Sequence, residues 1–324
     1  MVDCHKLFLK FNSIIELNAK RKESLRTSRE AVRNKIRIFF KEKQNGLYPR
    51  FHGQGSFMMN TIIKPLDGEF DIDDGIYFLV KQQPLQSIDT FHRWICEAVD
   101  GHTKEKPIDK ITCARVVYKG HYHIDLPIYY IVEGSCPKLA HKRDGWISSD
   151  PKTFIKWFQS KTDDKGQLRR IVRYLKAWSD CKSGTLPSGL IFSILATENI
   201  IFNARDDIAL YETLKNIKNK LDSNFTCYRP TTPTCEDLLK EYSQTNKEYF
   251  KNQIDRMISS AKKALDDNTS QKDACKEWQK HFGDRFPCHL IEDKTDELLS
   301  AAFTTPSLTF PNRPIIPKKP GGFA

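Results

Sequence analysis

Residues 51–78 read FHGQGSFMMNTIIKPLDGEFDIDDGIYF, and the fold is decided by how this stretch is parsed. Gly53-Gln54-Gly55-Ser56 is a glycine-serine turn, and a short helix or loop follows it. Residues 69–80 then read as a strand with carboxylates at alternate positions. Asp71 and Asp73 project from one face of that strand, about 7 Å apart on strand geometry. Two like charges at that separation are costly unless a cation lies between them. Mg²⁺ held by one or two carboxylates together with substrate phosphates is an arrangement that relieves the repulsion, and it points to metal-dependent nucleotidyl transfer. An isolated Gly-Ser dipeptide means little. Here fourteen residues separate Ser56 from Asp71, glycine allows a triphosphate close to the backbone, and the serine hydroxyl and backbone N–H groups can donate to phosphate oxygens. Gln54 is within reach of the same substrate.

Working outward from this stretch, residues 5–43 have the periodicity of one long amphipathic helix. Leu7, Phe11, Ile14, Ile15, Leu25, Val32, Ile36, Phe39 and Phe40 form its apolar stripe. Lys20, Arg21, Lys22, Arg26, Arg29, Arg33, Arg37, Lys41 and Lys43 form either a solvated face or a basic platform for nucleic acid. Beyond the carboxylate strand, Ile88, Phe91, Trp94, Ile95 and Val99 predict a helix ending near Gly101. Residues 111–118 and 122–132 read as strands joined by Lys119-Gly120-His121. Asp125 lies inside the otherwise apolar second strand, where an unpaired carboxylate is expensive. It is either paired with Arg115 or a histidine, or it is a third metal ligand and general base facing Asp71 and Asp73.

From about 150 the pattern is helical. A helix over about 165–180 carries Leu168, Ile171, Val172, Leu175 and Trp178 on its core face and Arg169, Arg173 and Lys176 on its flank. Thr185-Leu186-Pro187-Ser188-Gly189 opens an apolar helix to about 203, and its serine, close to a lysine of the preceding helix, makes a candidate anion site. Residues 223–235 are a proline- and threonine-rich connector, and helices are expected over about 236–243, 246–267 and 270–282. The composition after about 303 cannot bury much surface, which predicts an extended tail.

A chain of 324 residues favours two lobes. The expected division is 1–149 (spine helix and catalytic lobe), 150–302 (helical lobe) and 303–324 (tail). A net charge of +11 and a pI near 9.1 favour a polyanionic substrate or partner. Nine cysteines without a CxxC pair suit reduced thiols. No apolar run approaches the ~18 residues needed to span a bilayer, so a soluble cytoplasmic protein is expected.

With the glycine-serine turn, the Asp71-Ile72-Asp73 strand and the solitary Asp125 in place, the chain resembles the DNA polymerase β-type nucleotidyltransferase superfamily. Within it, QGSFMMNTIIKPLDGEFDIDDGIYF, HIDLPIYY and the LRRIVRYLKAW helix are similar to the cGAS/DncV-like nucleotidyltransferases (CD-NTases) of bacterial CBASS antiphage systems. The resemblance implies an α+β, bilobed fold with a mixed-sheet catalytic lobe, a helical second lobe and a long N-terminal spine helix. It implies two Mg²⁺ ions, replaceable by Mn²⁺, on Asp71, Asp73 and Asp125. It further implies nucleotide contacts from Gln54, Gly55, Ser56, Lys176 and Ser188, with Arg115 on the acceptor side. One departure from the pattern is Asp74, at a position that is usually apolar; Glu69 offers an alternative register for the carboxylate pair.

The implied substrates are ATP, GTP or other NTPs, and the implied product is a cyclic di- or trinucleotide that acts on a downstream effector. The alternative activities are synthesis of linear 2′–5′ oligonucleotides and addition of nucleotides to RNA. No His/Cys cluster of zinc-ligand spacing is present, so no obligatory DNA is expected, and no membrane. The terminus Pro320-Gly321-Gly322-Phe323-Ala324 resembles tails that an E1–E2-like enzyme conjugates to other proteins through the last residue, here Ala324; the alternative is a frayed end.

Overall fold

The computed structural model describes residues 2–44, 46–66 and 68–291. Residues 1–288 form one compact unit, and a second begins at His289. The expected extended tail, with its Ala324 terminus, lies outside the described residues.

The first unit joins a mixed sheet to a helical lobe, as the resemblance implied. The sheet runs β1 (Pro49–Gln54), β2 (Asp71–Val80), β5 (Tyr122–Val132), β4 (Cys113–Tyr118), β3 (Ile108–Asp109), and a hairpin of β6 (Lys138–His141) and β7 (Gly145–Ser148) adds to the other end of β5. The β2–β5 pair is parallel and its flanking pairs are antiparallel. In β2, Ile72, Ile76 and Phe78 enter the hydrophobic core, as do Ile124, Leu126 and Ile128 of β5. The period of two then puts Asp71, Asp73, His123 and Asp125 on the opposite face.

Two helices cover the apolar face. One is α4 (Ile88–Val99), capped by Ser87 Oγ accepting from Thr90 N–H, with Phe91, Ile95 and Val99 buried. The other is α2 (Ala19–Lys43), which contributes Leu25, Val32, Ile36 and Phe40. Asp74 is also on this face, fully buried, and the Arg33 guanidinium of α2 grips both of its oxygens at 2.6 and 2.7 Å. That settles the odd position after Asp73: Asp74 is an anchor for the spine and points away from Asp71 and Asp73.

The spine is two helices where the periodicity predicts one. α1 (His5–Ile15) stops before Glu16, and α2 starts after Asn18, whose side chain accepts from Arg21 N–H at 2.9 Å. The break is fixed from outside, because Lys64 N–H donates to Ile15 O at 2.7 Å and Glu16 bridges Ile63. α1 belongs to the helical lobe by its packing. Phe8 meets Tyr174, Trp278 and Phe286 at ring distances of 5.1, 4.9 and 5.1 Å, and Cys4 N–H donates to Asp207.

The helical lobe consists of α5 (Pro151–Ser160), α6 (Gln167–Asp180), α7 (Gly189–Asn199), α8 (Asp206–Ser223), α9 (Gln244–Ala264) and α10 (Gln271–Phe282). Three sequence expectations fail here. Residues 236–243 are not helical, because Asp237 Oδ1 accepts from Cys227 N–H and Leu239 N–H and folds the segment into a loop. α7 ends at Asn199 instead of about 203. Cys275 and Cys288 are disulfide-bonded, their Cα atoms 5.7 Å apart, where reduced thiols were expected. A separation of 13 residues carries no pairing signal until α10 and the turn after it fold the chain back.

Replacing Arg33 with Met strands the Asp74 charge. Breaking one side of a buried pair costs about 3–5 kcal/mol, so urea unfolding of Arg33→Met is expected to show a loss of that order. Adding Asp74→Asn should restore most of it; no recovery in the double variant would show that the arginine stabilises through packing.

Candidate active site

The sheet register sets one row of side chains across four strands: Gln54 opposite Asp73, Asp73 beside Asp125, and Asp125 opposite Arg115. Asp71 pairs in register with His123 one step along. Thus Asp71, Asp73 and Asp125 share one face, two of them on adjacent strands. Gly55 is required at the turn for two reasons. Its φ is +63°, and a Cβ there would lie 2.1 Å from Asp73 Oδ2. The turn and the carboxylate therefore touch through the only residue small enough to allow it.

Asp73 shares this face with two other carboxylates. Asp73 is pushed up from the ordinary 3.8 to about 6, first by burial and then by Asp125 and Asp71. The chain supplies cations of its own to the other two. Arg115 Nε and Nη2 donate to Asp125 Oδ1 and Oδ2 at 2.6 and 2.8 Å, and Nη2 also donates to Asp71 Oδ2 at 2.7 Å. His123 Nδ1 lies 3.0 Å from Asp71 Oδ1, and Lys110 Nζ lies 3.5 Å from Asp125 Oδ2. Of the readings of Asp125 left open by the sequence, the pairing with Arg115 is present, and Asp125 also stands beside Asp73 in register. Arg115, expected on the acceptor side, is hydrogen-bonded to Asp125 and Asp71.

A divalent cation suits this donor set chemically, with three hard oxygen ligands, two of them in register, and Asp73 holding its proton more tightly than usual. No group of three or more His, Cys, Asp or Glu side chains is already gathered for a metal among the described residues.

Next to the row lies a cavity of about 370 Å³ lined by Gln54, Gly55, Ser56, Asp73, Phe154, Lys176 and Arg229, among others. A wider opening of about 750 Å³ is lined by Ser56, Asp71, Asp73, Lys176, Ser188 and Gly189. The helical lobe therefore brings Lys176 and Ser188 to face Ser56 and Asp73. Lys176 Nζ donates to Thr61 O at 3.1 Å and Thr61 Oγ1 at 3.3 Å, and burial followed by Arg173 brings it down to about 8, against the pull of Asp73. Ser188 is the N-cap of α7, with Oγ accepting from Ile191 N–H.

Gln54 lines the cavity and is held there by two tyrosines. Its Nε2 donates to Tyr77 OH at 2.7 Å and its Oε1 accepts from Tyr129 OH at 3.2 Å, so the side chain braces the cavity floor. Tyr77 and Tyr129 are stacked at 4.5 Å, and Lys152 lies over Tyr77. Sequence reasoning passed over His123 and Arg229. His123 was legible, since it stands two residues from Asp125 on the same strand face. Arg229 was not, because it sits in the proline-rich connector, where no periodicity aims a side chain.

Residues 49–129 match the family described as cyclic GMP-AMP synthase DncV-like, nucleotidyltransferase domain. Over these residues the chain is similar to the DncV-like nucleotidyltransferases. Cyclic GMP-AMP synthases from Escherichia albertii and Vibrio cholerae are 29% and 28% identical over 197 and 238 residues. Each alignment covers 56% of this chain, and they cover 44% and 54% of those proteins. A cyclic AMP-AMP-AMP synthase from an Acinetobacter strain is 23% identical over 205 residues, covering 55% of this chain and 56% of that protein. The chain thus spans about half the length of the curated relatives it matches. Among solved structures, a mutant of the Vibrio cholerae di-nucleotide cyclase DncV in complex with ATP and GTP superposes with a TM-score of 0.76 at 20% identity, covering 88% of this chain and 97% of that one. DncV with the linear intermediate 5′ pppA(3′,5′)pG superposes at 0.73 and 21% identity, over 88% and 96% of the two chains. The chain therefore shares the bilobed fold of these structures, a mixed sheet joined to a helical lobe.

The raised Asp73 makes a pH prediction for the metal-free protein. The folded state binds this proton more tightly than the unfolded chain, so ionising Asp73 costs stability. The cost is absent below about pH 4, grows through the window up to about pH 6 and is complete above it. Asp73→Asn in EDTA is expected to be more stable than the parent at pH 7.5 by on the order of 1–2 kcal/mol after solvent screening. Urea unfolding should show that advantage closing toward pH 4; a gap constant with pH would contradict the assignment.

Proposed function

We propose that this chain is a Mg²⁺-dependent nucleotidyltransferase that condenses NTPs into a cyclic di- or trinucleotide, acting in the bacterial cytoplasm in antiphage signalling through a downstream effector. The observation that carries this reading is the row of Asp73 beside Asp125, with Asp71 on the same face and Ser56 and Lys176 across one cavity. The relatives named as cyclic GMP-AMP and cyclic AMP-AMP-AMP synthases support a cyclic product.

In the proposed reaction the Gly55-Ser56 turn holds the donor triphosphate from the catalytic lobe, and Lys176 with Ser188 holds it from the helical lobe. The expected division at 149/150 then separates the two grips. A ribose hydroxyl oxygen attacks the α-phosphorus, the bond to pyrophosphate breaks, and the hydroxyl proton passes to Asp125 as general base. A second transfer of the same kind closes a dinucleotide ring. Asp71, Asp73 and Asp125 would hold the divalent ions, which neutralise phosphate charge and acidify the attacking hydroxyl. The tail is part of the proposal as a conjugation point at Ala324 for an E1–E2-like enzyme. Deletion of residues 322–324 is expected to abolish any covalent adduct seen on denaturing gels with that enzyme present.

The deciding experiment is incubation with all four NTPs and Mg²⁺, followed by nuclease-resistance testing and mass analysis. A nuclease-resistant cyclic product is expected, reduced at least about 10³-fold in the double variant Asp71→Asn, Asp73→Asn, by the usual scale of losses at transition-state-stabilising groups. The double variant should still melt cooperatively. Undiminished product from it would overturn the mechanism, and linear oligonucleotides alone would replace the cyclic reading with a linear synthase.

A further inference from the structure

Arg115 holds the oxygens a metal would need. Its fork takes both oxygens of Asp125 and one of Asp71, while His123 lies against the other oxygen of Asp71 and Lys110 adds to Asp125. The arginine and Asp125 are direct cross-strand partners, so the register itself delivers the guanidinium to the carboxylate. Bidentate arginine–carboxylate contacts are both strong and planar, and they occupy the in-plane lone pairs that a cation would also use. Asp73 is outside this clasp.

We propose that Arg115 is the resident counter-cation of the carboxylate row, and that metal ions enter by exchange with its guanidinium. This rests on the reading of Asp71, Asp73 and Asp125 as metal ligands. Three consequences follow from charge balance alone. Without metal, the arginine stabilises two aspartates that would otherwise repel each other across adjacent strands. Metal entry without an anion leaves the displaced guanidinium and the new cation close together, which opposes binding. A triphosphate removes that penalty, because its phosphates give the freed guanidinium a partner. Arg115 thus acts as a positioning residue that makes metal binding weak in the empty cleft and stronger in the nucleotide-loaded one.

The opposing reading is a static pair. Each carboxylate oxygen has two lone pairs, so the arginine could stay in place while a cation binds from the other side. Arg115→Gln separates the two. Free Mn²⁺ is read by electron paramagnetic resonance during titration of the full chain, without nucleotide and with a non-hydrolysable ATP analogue, and thermal melting is followed in EDTA. Exchange predicts that the glutamine variant binds Mn²⁺ roughly tenfold or more tightly without nucleotide, within the roughly 5–150-fold span of typical couplings. Its gain in Mn²⁺ affinity on adding the analogue should be smaller than the parent's, and its melting point in EDTA lower but restored by Mn²⁺.

Arg115→Lys, which keeps the charge and loses the fork, should fall between parent and glutamine variant. If Arg115→Gln fails to fold, the lysine variant and the parent carry the test, the latter through the Arg115 Nε–H proton, protected from exchange in EDTA and released by Mg²⁺. Equal or weaker Mn²⁺ binding by the folded variants, or an Nε–H that stays protected with Mg²⁺ bound, overturns the exchange and leaves the metal site standing. Absence of Mn²⁺ binding in parent and variants alike overturns the metal site and the exchange together.

Discussion

The parallel pairing of β2 with β5 places Asp73 beside Asp125, and much of the catalytic lobe answers that crowding of negative charge. Asp71 joins them by the strand period of two, and Gly55 gives up its side chain so that the turn can touch Asp73. Arg115, delivered by the antiparallel β4, neutralises the two carboxylates nearest to it. The same sheet shows the opposite solution on its other face, where a single buried aspartate, Asp74, is matched by a single arginine of α2. One aspartate with one arginine is a structural pair. On the other face, three aspartates share Arg115 with Lys110 and His123 at their edges, and none of these groups hydrogen-bonds to Asp73.

The helical lobe completes the site by facing it. α6 carries Lys176 to Thr61 and to the cavity wall shared with Ser56, and the N-cap of α7 sets Ser188 beside it. α1 is locked into this lobe by Phe8 and by the Cys4–Asp207 contact, while α2 lies on the catalytic sheet. Residues 16–18, between the two helices, are therefore where the chain passes from one packing environment to the other. The interruption follows from Asn18, a strong N-cap, and from the backbone of Lys64 reaching Ile15.

Several elements were plain in the sequence because local rules suffice for them. The carboxylate strand, the helix from Ile88 to Val99, the strands around Asp125 and the helix carrying Lys176 all follow from periodicity and end signals. The failures have a common cause. The helix expected at 236–243 gives way to a loop tied by the Asp237 side chain, the spine breaks where a distant backbone claims Ile15, and Cys275 meets Cys288 after a fold-back. Each depends on a contact whose partner is not implied by its neighbours in sequence.

By itself the sequence determined which residues are the candidates: the alternation of Asp71 and Asp73 on one strand face, the glycine-serine turn before them, and an aspartate alone in an apolar strand. These are consequences of the strand period and of the cost of burying charge, which hold wherever the strand is placed. Only the tertiary structure decided the partners. Register chose Asp125 as the neighbour of Asp73 and Arg115 as the clasp, tyrosine stacking turned Gln54 into a brace, and the packing of α2 sent Asp74 to the spine. A side chain's type is fixed by one position in the chain, but its electrostatic partner is fixed by strand pairing and lobe packing, which join positions far apart.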